Sequence, residues 1–116
     1  MKDYTVSEGF ILEVARVLAG VVGRGSAITN REIARRLGLV PGNSASGGYI
    51  RNAIHEIRAR GIVPCLIAGH RGYYVADSVE EVQEYIGSLK HRSSSIDLVA
   101  YALENQAARR FEAAKA

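Results

Sequence analysis

The chain has 116 residues, of which 47% are hydrophobic and 23% charged, and a formal net charge of +3. That mixture suits one globular domain whose core leaves no room for a large second one, which excludes multidomain enzymes. The longest apolar run, Ile62 to Ala68, is far short of the ~20 residues of a membrane-spanning helix, Met1-Lys2-Asp3-Tyr4 does not open a secretory signal, and the single cysteine, Cys65, cannot form an internal disulfide, so a cytoplasmic protein is expected.

In chain order, Ser7 precedes a segment with apolar residues at 10, 11, 14, 17, 18 and 21, the spacing of a buried helical face, and this first helix should end near Gly20 or Gly23. Thr29 and Asn30 offer N-caps to a second helix, Arg31 to Leu37, with Thr29 and Glu32 in the form of a capping box and Gly38 as the stop. Residues 41–48 are too rich in turn formers for regular structure, and Ser44 or Ser46 can cap a third helix from about Gly48 to Arg60. Its apolar positions, 50, 53, 54 and 57, form one stripe and leave Arg51, Asn52, His55 and Arg58 on the opposite side.

Two β-rich runs follow, residues 62–68 and 73–76, and they bracket the glycine-flanked turn Gly69-His70-Arg71-Gly72, which predicts a hairpin. Pro64 makes the first strand short or places it at an edge. Tyr73 and Tyr74 alternate, so one should fill core and the other face out. A fourth helix is expected from Asp77 or Ser78 to about Lys90, burying Val79, Val82, Tyr85, Ile86 and Leu89. A break at residues 91–95 then precedes a last helix from Ile96 to about Phe111.

Charge is segregated along this plan. Residues 24–71 carry eight arginines (Arg24, Arg31, Arg35, Arg36, Arg51, Arg58, Arg60 and Arg71) against Glu32 and Glu56, whereas both flanking segments are net acidic. Arginine's planar fork suits phosphate and guanine edges, so a polyanion partner is the leading expectation, set against an ordinary solvated basic surface. The order helix, helix, turn, helix, hairpin is that of a winged helix-turn-helix, and the basic segment coincides with its DNA-binding parts. The expected class is mainly α with a small β-hairpin wing (α+β), residues 1–77 forming the winged domain and 78–116 a C-terminal helical extension.

In that geometry the third helix enters the major groove. Ser46, Gly48, Tyr49, Arg51 and Asn52 lie nearest the bases, with Arg51 suited to guanine and Asn52 to adenine. Tyr49 is better placed half-packed against the second helix than stacked on a base. His55 shares the exposed face, Arg31, Arg35 and Arg58 suit phosphate, and His70 with Arg71 forms the wing tip. For each arginine alone, a solvated charge is the competing reading.

Glu56-Ile57-Arg58-Ala59-Arg60-Gly61, Gly72-Tyr73-Tyr74-Val75-Ala76 and Glu80-Glu81-Val82 supply a family resemblance. From Thr29 to Arg92 the chain resembles small winged-helix proteins common in bacterial phages and prophages. That resemblance implies a transcription regulator or a DNA-binding part of replication machinery, although winged helices also serve as pure protein–protein modules.

An enzyme is not expected. Pro64-Cys65 matches half of the Pro-Cys-His-Arg motif of DNA alkylguanine transferases, but Leu66-Ile67 replaces the activating His-Arg, and a thiol in an apolar strand tends to be inert. Cys65, His55 and His70 fit no zinc-ligand spacing, and no cofactor or small-molecule site is evident. The last helix sets Ile96, Val99, Leu103, Ala107 and Phe111 at helical spacing. A second copy of the chain and packing back onto helix one or four are equal expectations for that stripe.

Overall fold

The computed structural model describes residues 5–39 and 44–109 of the chain. It is mainly helical with one two-stranded antiparallel hairpin, and it divides into two units, residues 1–82 and 83–116.

In the first unit, α1 (Glu8–Ala19) begins where Ser7 Oγ accepts a hydrogen bond from the Phe10 amide, and it ends at Gly20. Ile11, Val14, Ala15 and Leu18 face inward, as the apolar spacing predicts. A short 3-10 turn, Arg24–Ser26, leads to α2 (Asn30–Arg36), whose N-cap is Thr29: its Oγ1 accepts from the Glu32 amide at 3.2 Å. Only half of the expected capping box forms, because the Glu32 carboxylate turns instead to Arg35 and Arg36.

α3 runs Ser44–Arg60, one turn earlier than expected, so the predicted turn-rich stretch is helical from residue 44 onward, and its residues 41–43 lie outside the described chain. Serine is tolerated in a first turn, and Gly48 is buried. Ile50, Ala53, Ile54 and Ile57 are all buried, and α3 packs on both α1 and α2.

The first strand is shorter than its apolar run suggests. β1 (Leu66–Gly69) excludes residues 62–65, because Pro64 has no amide to pair and Cys65 takes φ +61, outside the extended region. Cys65 is accordingly exposed rather than part of an apolar strand, while its carbonyl accepts from the Ala76 amide at 3.0 Å. β2 (Gly72–Val75) pairs with β1 in the register Leu66–Val75 to Gly69–Gly72, leaving a two-residue turn, His70-Arg71.

The other edge of β2 is also occupied. Ile28 exchanges two backbone hydrogen bonds with Tyr73, and Val75 bonds Val21 and Gly23, so the segment between α1 and α2 completes the strand's pairing and ties the hairpin to the core. Tyr74 is buried and Tyr73 half-buried.

The C-terminal region departs from the expected two helices. Val79–Ala107 is one continuous helix, α4, capped by Ser78 Oγ on the Glu81 amide. No glycine or proline interrupts residues 91–95, and the Ser95 hydroxyl donates back to the His91 carbonyl, so its polar group is satisfied within the helix. Nor does the start of α4 bury the expected stripe: Val79, Ile86 and Leu89 are exposed and only Val82 and Tyr85 are half-buried. The exposed apolar residues continue through Ile96, Val99 and Leu103, and Phe111 lies outside the described residues.

Candidate nucleic-acid interface

The site begins from the division of α3 into two faces. With Ile50, Ala53, Ile54 and Ile57 buried, helical geometry turns Arg51, Asn52, His55 and Arg58 outward, and all four are exposed. Arg51, His55 and Arg58 follow one another at four- and three-residue steps, which forms a polar row along the helix. The Arg51 side chain folds toward the helix start over Gly47: a Cβ on that glycine would stand 3.3 Å from Arg51 Nη1. Tyr49 is partly exposed two residues before Arg51 and so on another side of the helix, Gly48 is buried, and Ser46 belongs to the first turn of α3, its side chain lying outside the described residues.

One side of the row is not cationic. Asn52 and His55 line a groove of about 500 Å³ together with Thr5, Val6, Glu8, Ile11 and Glu56. Glu8 and Glu56 lie on this side, with Arg60 committed to Glu8, so the basic character of the outward face of α3 rests on Arg51 and Arg58.

α2 contributes less free charge than its composition suggests. Arg31 is exposed, but Arg35 donates to Glu32 through Nε at 2.9 Å and Nη2 at 2.6 Å, and Arg36 Nε donates to the same carboxylate at 2.9 Å. The hydrogen bonds from Arg35 and then Arg36 pull the Glu32 carboxyl down to about 2, so it stays ionised across the physiological range. Arg60 is likewise held by Glu8. Sequence reasoning named the arginines but missed these pairings. The three- and four-residue spacing from Glu32 carried the first signal; nothing local carried the second.

The hairpin turn presents His70 and Arg71, both exposed, between Gly69 and Gly72. Gly72 has φ +128, and a Cβ there would stand 2.3 Å from the Ile28 carbonyl oxygen, so only glycine lets β2 approach the segment before α2 this closely. The turn is therefore carried on a hairpin whose strand β2 is paired along both edges.

Among the described residues no three His, Cys, Asp or Glu side chains gather as a metal site, and no helix is long and apolar enough to cross a membrane. Cys65, His55 and His70, weighed above as ligands, are on three different segments. Compared with protein-family models, curated proteins and solved structures, the chain matches none.

Proposed function

We propose that the first unit is a winged-helix module that binds duplex DNA, with α3 as the major-groove helix and the β1–β2 turn as the wing, in a cytoplasmic regulator or replication accessory protein of the phage and prophage type. The observation that carries this reading is the exposed polar row of α3, Arg51, His55 and Arg58, backed by a wholly apolar buried stripe. A helix built this way offers cations and hydrogen-bonding groups outward on a rigid support, as groove recognition requires. The pairing of β2 with both β1 and the segment before α2 supports the wing assignment, since it braces the turn that carries Arg71.

In this reading Arg51 takes a base edge, with Asn52 beside it at the groove margin, while Arg31, Arg58 and Arg71 meet phosphate. Arg35 reaches phosphate only by leaving Glu32. The roles are binding roles; no residue is assigned a catalytic one.

The test is fluorescence anisotropy of a labelled random-sequence duplex at low and near-physiological salt. Binding that weakens steeply between about 50 and 200 mM salt is expected, because phosphate contacts release counterions. No binding at low salt would overturn the reading and leave the first unit as a protein-interaction module.

A further inference from the structure

A seven-residue repeat runs along α4. Leu89, Ile96 and Leu103 recur at that spacing, and four residues after each of them stand Ser93, Ala100 and Ala107. Seven residues complete nearly two helical turns, so the large set and the small set share one face over about 30 Å of helix. The large residues are in water: Leu89 is 38% exposed, Ile96 68% and Leu103 58%. We propose that this face is a self-association surface and that its occupant is a second copy of the same helix, running antiparallel.

The identity and the direction of the occupant both follow from the pattern. Two copies packed in parallel stack like on like, which alternates Leu and Ile layers with Ser and Ala layers that no single interaxial distance fits. Reversing one copy sets Leu89 against Ala100 of the second copy and Ile96 against its Ser93. Each such layer then holds one large and one small side chain, and Leu103 against Ile86 closes each end. The small partners let the helices approach closely, and the match is self-complementary, as a two-fold interface requires.

Charge beside the seam agrees. Lys90, Asp97 and Glu104 repeat at the same spacing immediately after the large residues. In an antiparallel pair this row faces its own counterpart, so Lys90 of each copy meets Asp97 of the other. A parallel pair would instead offer Arg92 to Asp97 but leaves the layers uneven. The inference does not depend on what the first unit binds.

Light scattering on the full chain at tens of micromolar is expected to give twice the 12.5 kDa chain mass. Ile96→Asp should return it to the monomer mass, with the circular dichroism of the fold retained, whereas Leu98→Asp, on the opposite side of α4, should leave the dimer intact. With exposed Cys65 changed to serine, chains bearing Leu89→Cys should cross-link to chains bearing Ala100→Cys, and Ala100→Cys alone should not cross-link. A monomer mass for the unaltered chain, or equal dissociation by Leu98→Asp, overturns the self-association face. Ready self-cross-linking of Ala100→Cys overturns the antiparallel direction.

Discussion

Arg60 reaches Glu8 through two hydrogen bonds, Nη1 to Oε1 at 2.6 Å and Nη2 to Oε2 at 3.1 Å, and so fastens the last turn of α3 to the first turn of α1. Both side chains are substantially exposed, so solvent screens the pair and its contribution to stability is small. Its geometric role is larger. α3 carries the proposed contact row, and this bidentate clamp fixes its C-terminal end, beyond Arg58.

Arg60→Ala is expected to lower the melting temperature slightly, with the deficit shrinking as salt is added. The hydrogen bonds from Arg60 hold the Glu8 carboxyl below its ordinary value, so folding favours the ionised form. That contribution is complete above the unfolded carboxyl value and is lost as pH falls through the lowered one. Melting curves of the variant and the parent should therefore converge on acidification. A deficit that persists unchanged at acid pH and high salt would show that Arg60 acts through packing of its stem.

Glu32 makes the reverse prediction for binding. It holds Arg35 and Arg36 at once, so Glu32→Gln frees two guanidinium groups on α2 and removes a charge that repels phosphate. Random-duplex affinity should rise, and the salt slope should steepen by up to about two contacts. The same change removes a carboxyl whose folded value is about 2, so whatever stability the cluster supplies is present above the ordinary glutamate value of 4.5 and disappears between there and about 2. Unchanged affinity and slope in the anisotropy titration would exclude α2 from the interface.

Arg51 and Arg71 separate base reading from backbone contact. Arg71→Ala should weaken binding to every duplex alike and flatten the salt slope by about one contact, because a hairpin tip meets phosphate. Arg51→Ala should also relax base preference, by about 1–3 kcal/mol at one position once a preferred sequence has been selected. Equal losses on preferred and random duplexes for Arg51→Ala would move that residue to the backbone.

What could be read from the chain divides along physical lines. The buried faces of α1 and α3 were legible because Ile11, Val14 and Leu18, and then Ile50, Ala53, Ile54 and Ile57, repeat at helical spacing with turn residues at each end. The apolar run before β1 misled, since Val63 is buried without being in a strand and burial alone does not fix backbone conformation. The serine run after His91 misled in the other direction: its residues favour turns only mildly, and the Ser95 hydroxyl finds its partner inside the helix. For the candidate site, arginine positions could be read but their occupancy could not. Glu8 and Arg60 are 52 residues apart, a distance at which no local pattern announces a pair.

Two glycines give opposite outcomes for the same substitution. At Gly72, φ is +128 and an added Cβ would meet Ile28 backbone, whose carbonyl and amide are both committed to Tyr73, so neither side can move without breaking paired hydrogen bonds. Gly72→Ala should cost at least about 1–3 kcal/mol, from the disfavoured backbone conformation together with the clash. Gly87 is exposed within α4, and an added Cβ there meets nothing within 4 Å, so Gly87→Ala should stabilise that helix by about 1 kcal/mol or less through propensity alone. Denaturant titrations of both variants measure the contrast. Because Gly72 also holds the hairpin turn in place, its variant should lose duplex affinity at temperatures where it is still folded, whereas Gly87→Ala should bind as the parent does. Full affinity in folded Gly72→Ala would separate the bracing of the hairpin from DNA binding and remove the wing from the proposed interface.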